Sequence, residues 1–372
     1  MARRKRIAIA GRGLIGAAAA RHAALAGHEV TLIGPSEPET WADHPGPFAS
    51  HYDEGRITRA NDSRAYYVEA AMASIARYAE IEAQSGISFF TEAGALLAGA
   101  AGYMGEVAAN RTRFAVASDL LDAPALARRF PFFALPSDWT GLHEASGAGH
   151  ISPRRLVAAQ TEAARRAGAR VIDAEVIHVA PGRLRTGHTD FEAEEIIVAA
   201  GGWTDALLGR APTLLVRPRT VALAEIGQAE AARLAAMPSA VLDTENGAYI
   251  LPPIRYPDGK LWLKIGGDWQ DDRLTTQSEI NAWFRAGGAA AVRDRLADQL
   301  RQFLPGLAWE SLRMAPCVTS WTATGTPEIA RLSAGLTLAT GGNGASAKCS
   351  DELGRRATAI ATGLAATEAE AS

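Results

Sequence analysis

A run of thirty residues near the start, 5–34 (KRIAIAGRGLIGAAAARHAALAGHEVTLIG), constrains the fold more than any other part of the chain. Residues 6–10 read as a short buried strand, 11–16 as a tight turn, 14–26 as an alanine-rich helix and 28–33 as a returning strand. This is a strand–helix–strand unit of roughly the size that a dinucleotide-binding turn needs. Gly11 permits the sharp turn, Gly13 lets a pyrophosphate approach the backbone, and Gly16 lets helix and strand pack closely. The pyrophosphate then rests on the positive end of the helix, against unpaired N–H groups that begin with Leu14 and Ile15.

Glycine makes up 36 of 372 residues, so the spacing G-x-G-x-x-G says little by itself, and the flanking strands and helix carry the argument. An acidic residue normally ends the second strand and holds a ribose hydroxyl. Gly34 stands there instead, with Ser36 and Glu37 as the nearby substitutes. Its loss weakens an NAD reading more than an FAD reading, because FAD brings a flavin half that can be held elsewhere.

A chain of this length with 48% apolar residues can fill two cores. The net charge of −3 and the scatter of basic residues give no footprint for nucleic acid or an anionic membrane, which leaves small molecules as partners. Two cysteines, Cys317 and Cys349, make no disulfide framework, no Cys/His spacing resembles a zinc site, and a reducing compartment is expected. Residues 1–6 (MARRKR) imitate a secretory signal, but its cleavage would delete the glycine turn. Arg12 interrupts the apolar run, and no segment reaches the roughly eighteen apolar residues of a membrane span, so a soluble cytoplasmic protein is the expectation.

Beyond a Pro- and acid-rich loop at 35–47 lies SHYDEGRITR, in which Arg56 and Arg59 stand three apart. They form either an anion site or a solvated basic face. The pattern predicts one core-facing helix over 64–85, a strand over 89–97, a short helix over 123–130, and a helix over 153–167 capped by Ser152 and Pro153. Strands follow at 170–172, 183–185 and 190–192. The apolar strand 195–200 ends at Gly201-Gly202-Trp203, where Ala200, Gly201 and Trp203 form a second place for backbone to touch a cofactor. Segments 216–226, 241–254 and 261–266 predict an antiparallel sheet, and 278–304 a helix broken at Gly287-Gly288. A strand at 336–340, the turn Gly341-Gly342-Asn343-Gly344 and a helix over 350–364 provide another helix N-terminus for the cofactor.

Taken in order, these motifs resemble the flavin-dependent amine oxidases related to monomeric sarcosine oxidase and N-methyltryptophan oxidase, in the D-amino acid oxidase superfamily, over nearly the whole chain. SHYDEGRITR resembles the family signature S-H-x-x-D-x-R-x-x-R, with Glu54 at the aspartate position; Ser50, His51 and Arg56 then face the flavin and Arg59 the substrate. By the same resemblance Lys264 is the oxygen-activating lysine, Lys348 shares the substrate carboxylate with Arg59 and also borders the cofactor, and Cys317, in Met-Ala-Pro-Cys, is the expected point of covalent flavin attachment. Read from the residues alone, Cys317 is foremost a buried small hydrophobe, the usual place of a free cysteine. Asp268 stands where sarcosine-type enzymes carry a histidine, and Tyr249 and Trp269 are either pocket walls or core. His51 and His150 need no catalytic role, because the resemblance implies direct transfer of a hydride equivalent from a neutral amine.

The resemblance thus implies a two-domain α/β protein: a Rossmann-like FAD domain from 1–84, 150–215 and 315–372, and a substrate domain with an antiparallel sheet from 85–149 and 216–314. It implies a monomer that binds FAD, takes a secondary, N-methylated or cyclic amino acid and molecular oxygen, and releases an imine and hydrogen peroxide. A dehydrogenase of the same fold and a non-catalytic FAD-carrying subunit are the alternatives.

Overall fold

The computed structural model describes residues 3–211, 213–267, 269 and 272–364. Strands Arg6–Ala10 and Glu29–Ile33 lie parallel on either side of the connection through helix Leu14–Leu25, with Ile7 paired to Val30. Gly11 turns with φ +110°, and a Cβ there would lie 2.3 Å from the Ala199 carbonyl oxygen, while one on Gly16 would lie 1.9 Å from the Gly11 oxygen. Neither position has room for a side chain.

This unit is the middle of a six-stranded sheet ordered Glu328–Ser333, Leu336–Thr340, Glu195–Val198, Arg6–Ala10, Glu29–Ile33, Arg170–Ile172. All its pairings are parallel except the first. Alternation divides the strand residues between two faces. Ile7 and Ile9 pack with Ala17, Ala20 and Ala24 beneath helices Pro153–Arg166 and Ser350–Thr362. Ala8 and Ala10 meet Val179 and Leu184 of a three-stranded antiparallel sheet on the other side. Behind the first helix, buried Asp351 accepts hydrogen bonds from Arg21 at 2.9 Å, from Gln160 at 2.8 Å, and from Arg77. That carboxylate joins three helices and the turn at Arg77, and a buried ion persists only when paired this fully.

The second sheet has eight strands, ordered Ser311–Trp321, Leu215–Ile226, Leu261–Gly266, Tyr249–Arg255, Ser239–Leu242, Ala95–Gly99, Thr140–Glu144, Asp119–Leu121. Helix Ala290–Phe303 closes one face, packing Val292, Leu296 and Leu300 onto Ala222, Ala224 and Leu263. The segments expected to form an antiparallel sheet do pair that way, and one further pairing makes the whole sheet mixed. Ala95–Gly99 and Ser239–Leu242 run parallel, and the long connection that a parallel pair requires is supplied by the intervening chain.

Other boundaries also move. The single helix over 64–85 is two, Ala65–Ile75 and Tyr78–Ser85, and the break lets Arg77 reach Asp351 and Glu352. The strand over 89–97 splits into Phe90–Thr91 and Ala95–Gly99 around Gly94, whose φ of +75° no strand tolerates. The segment 241–254 folds back at 243–248, where Thr244 Oγ1 bonds Asn246 and caps the Ala248 N–H. Among the described residues no helix is long and apolar enough to cross a membrane, and no cluster of His, Cys, Asp or Glu could hold a metal.

Candidate active site

A cavity of about 260 Å³ opens where the two sheets meet the glycine turns. Gly11, Gly13, Leu14 and Ile15 line it from the first turn, and Ser50, His51 and Arg56 from the arginine segment. Ala200, Gly201 and Trp203 contribute from the strand end after Val198, Cys317 from the long strand Ser311–Trp321, and Gly342 and Gly344 from the last turn. Its lining, two glycine turns and an open helix start, suits FAD. No side chain caps the helix at Gly13, and a Cβ on Gly13 would meet nothing nearer than His51 Nδ1 at 3.9 Å, so the space over the helix start is open.

Three expected cofactor residues do not line this cavity. Gly16 is pressed against the Gly11 carbonyl. Asn343, with a left-handed φ of 47°, turns inward; its Oδ1 accepts from the Thr322 N–H at 3.0 Å and its main-chain N–H donates to Ser320 at 2.8 Å, so it shapes the turn. Lys348 reaches away, to Asp62. At the ribose position a Cβ on Gly34 would lie 2.5 Å from the Arg12 nitrogen, which explains the missing acid. Ser36 is engaged by Arg12 and Asp173, and Glu37 forms a double hydrogen bond with Arg154 at 2.6 Å.

Asp53 is a central residue that the sequence did not single out. Its Oδ2 accepts from both Arg56 and Lys264, and its Oδ1 accepts from the Tyr256 hydroxyl at 2.9 Å. Burial opposes its charge, but Lys264 and Arg56 overcome this and hold the carboxyl far below the usual range. Lys264 is fully buried, donates to the Gly55 carbonyl at 2.8 Å, and lies 5.7 Å from the centre of the Tyr249 ring. Burial and Arg56 push its pKa down to about 8 against the support of Asp53. Arg56 also donates to Cys317 Sγ at 3.3 Å and to the Ser50 carbonyl at 3.1 Å. This bundle sets the charge beside the cavity wall.

Glu54, one residue on, belongs to a different network: it accepts from Ser152 at 2.7 Å and from Arg154 at 3.0 Å, tying the arginine segment to the start of helix Pro153–Arg166. Burial, Arg154, Arg12 and Arg56 hold His51 neutral, with its pKa down to about 3, and burial takes His150 to about 4. Cys349 is buried, its thiol pushed up to about 12, whereas Cys317 is partly exposed. Trp269 packs against the core of the second sheet, and Asp268 lies outside the described residues.

Arg59 and Lys348, far apart in sequence, come together. Both donate to the same atom, Asp62 Oδ2, each at 2.8 Å. Glu144 holds the loop beneath them by accepting the N–H groups of Ala60 at 2.9 Å and Asn61 at 2.8 Å. Neither carboxylate stands in a motif that sequence reading could flag.

The family model described as FAD dependent oxidoreductase matches residues 6–360. The monomeric sarcosine oxidase of Bacillus sp. (strain B-0618) is 24% identical over 329 residues, 85% of this chain and 81% of that protein. The N-methyl-L-tryptophan oxidase of Salmonella dublin is 26% identical over 217 residues, 56% of each chain. Among solved structures, NikD, an amino acid oxidase essential for nikkomycin biosynthesis, superposes with a TM-score of 0.75 at 20% identity over 98% of this chain and 95% of that one.

Proposed function

The chain belongs to the FAD dependent oxidoreductase family, and on that premise we propose that it is an oxidase of the C–N bond in small secondary, N-methylated or cyclic amines of the amino-acid kind. The products are an imine and hydrogen peroxide. FAD, when bound, supplies the redox chemistry, accepting two electrons from the amine and delivering them to molecular oxygen.

The observation that carries this reading is the buried Lys264 ammonium, held by Asp53 beside Arg56, which itself lines the cavity. A fixed cation in a site closed to water stabilises negative charge developing on oxygen better than solvent does. The chain's other groups divide the remaining work. Backbone N–H groups from Leu14 onward receive the pyrophosphate at the positive end of their helix. Arg56 orders Ser50 and Cys317, and Cys317 is the attachment point for the flavin ring. Neutral His51 lines the cavity, and with its pKa lowered to about 3 it is a poor base, in keeping with direct transfer from a neutral amine. Residues 1–84, 150–215 and 315–372 hold the flavin, and 85–149 and 216–314 cover the substrate. Cys317 and Cys349 form no disulfide with each other, which suits a reducing, cytoplasmic compartment.

The test is to purify the protein, record a flavin absorbance spectrum, and measure imine and peroxide with a panel of N-methyl, secondary and cyclic amines, as acids and as amides. Stoichiometric peroxide supports the proposal. Turnover seen only with an added dye acceptor would make the protein a dehydrogenase, and a yellow protein that no amine bleaches without oxygen would make it a flavin carrier.

A further inference from the structure

The acid that normally ends the second strand of a dinucleotide unit and holds the adenosine ribose is replaced here by Gly34. A Cβ at that position would lie 2.5 Å from the Arg12 nitrogen, so the strand end has no room for a side chain. The two polar residues that follow are committed elsewhere. Ser36 is held by Arg12 and Asp173, Glu37 bonds Arg154 twice at 2.6 Å, and neither lines the cavity.

The neighbouring strand brings an acid to the same edge. Arg170–Ile172 runs parallel to Glu29–Ile33 with Ile172 beside Ile33, so both chains leave the sheet at the end where the glycine turn lies. Two hydrogen bonds join the exits: the Gly34 N–H donates to the Ile172 carbonyl at 3.1 Å, and the Ser36 N–H donates to Asp173 Oδ1 at 3.0 Å. Just beyond Asp173, Glu175 lines the cavity together with Arg12, Gly34 and Val176. Its carboxylate makes no hydrogen bond or ion pair among the described residues. Partial burial lifts its pKa above the ordinary carboxylate range, with His44 opposing, as expected for an acid set into a wall without a cation in contact.

An ionised carboxylate only accepts hydrogen bonds, and a ribose offers two neighbouring hydroxyls that can donate. We propose that Glu175 is the ligand of the adenosine ribose of FAD, delivered by the strand next to the one that ordinarily carries the acid. Gly34 and Glu175 are then two halves of one arrangement: the first gives way to the Arg12 backbone, and the second restores the acceptor. Glu175 binds the cofactor far from any reacting atom of the substrate, so the assignment holds whichever amine the flavin oxidises.

The experiment titrates apoprotein with FAD and with its 2′,3′-dideoxyadenosine analogue and reads binding as quenching of flavin fluorescence. A Cys317→Ala background keeps the binding reversible. Charge-assisted bonds to the hydroxyls should make this background protein prefer FAD by at least about tenfold. Glu175→Ala should lose at least about tenfold in affinity for FAD and nothing for the analogue, so the preference disappears. Glu37→Ala, the variant of the other nearby acid, should keep the preference. Equal binding of both nucleotides by the background protein overturns the proposal, as does an equal loss of both in Glu175→Ala or a preference that vanishes in Glu37→Ala instead. Should Glu175→Ala fail to fold, Glu175→Gln is measured with a loss in the same direction expected, and the background protein with Glu37→Ala decides if neither folds. If neither nucleotide binds, the FAD reading falls and this assignment with it, whereas equal binding of the two removes Glu175 alone.

Discussion

Replacing Asp53 by asparagine removes the carboxylate that the Lys264 ammonium touches while leaving an oxygen for Tyr256 and Glu54 to donate to. Arg56 loses the same partner, so two cations then face each other with no anion between them. At an effective dielectric of about 20 a contact between opposite charges is worth about 4 kcal/mol. At about 1.4 kcal/mol per pKa unit, its loss takes Lys264 from about 8 to about 5. Near pH 7 roughly nine-tenths of the wild-type ammonium is charged, against about one part in a hundred in the variant. If the charged form is what assists oxygen reduction, flavin reoxidation slows about a hundredfold. The sign is definite: wild type keeps its rate below about pH 8 and loses it above, whereas Asp53→Asn recovers its rate only as the pH falls toward about 5. Stopped-flow mixing of reduced enzyme with oxygen across this range reads the inflection directly. A variant that is slow at every pH, with the inflection unmoved, would show that Asp53 only supports the fold, and the reasoning would fail.

Gly13→Val should fold yet purify colourless, since its side chain enters open space over the helix start, whereas Gly16→Val should lower Tm sharply because a Cβ would lie 1.9 Å from the Gly11 oxygen; normal flavin content in Gly13→Val would contradict the cofactor site. Acid precipitation should leave the colour with the wild-type polypeptide and release it from Cys317→Ala, and free flavin from both would reject the thioether. Asp351→Ala, which leaves the buried Arg21 guanidinium with the longer, exposed Glu80 contact in place of its buried carboxylate, should cost about 3–5 kcal/mol in urea unfolding, and a loss under about 1 kcal/mol would refute the pairing argument. Because Asp351 is held far below its ordinary pKa, its stabilisation is complete above the unfolded carboxyl pKa and lost as pH falls; Asp351→Asn should therefore flatten the acid side of a Tm–pH curve.

What could be read from the sequence divides along the distance over which each feature is encoded. The first strand–helix–strand unit is local, and its glycines stand where backbone contacts leave no room for a side chain. Arg56, Lys264 and Cys317 were reachable because each sits in a short ordered motif, and the structure brings Arg56 to both of the others through Asp53 and the Cys317 sulfur. Asp53, Asp62 and Glu144 were not, since an isolated carboxylate acquires meaning only when distant chain delivers Lys264, Lys348 or the loop at Ala60 to it. The helix break at Arg77 was hidden for a similar reason, its cause being Asp351 at the other end of the chain. Lys348 was matched to its partner Arg59, but the anion between them came from a loop with no pattern of its own.

The six-stranded sheet has a consequence for how the protein is made. Its central strand, Arg6–Ala10, leaves the ribosome first, yet its neighbours are Glu195–Val198 on one side and Glu29–Ile33 on the other, with Leu336–Thr340 beyond the former. The glycine turn therefore emerges early but waits for most of the chain before Ala200 and Gly342 can close the cavity around it. At about 5–20 residues per second that wait lasts tens of seconds, during which the turn has no complete site to offer. Cofactor capture is thus a late step of biogenesis, and nascent chains stalled before residue 336 should emerge without flavin.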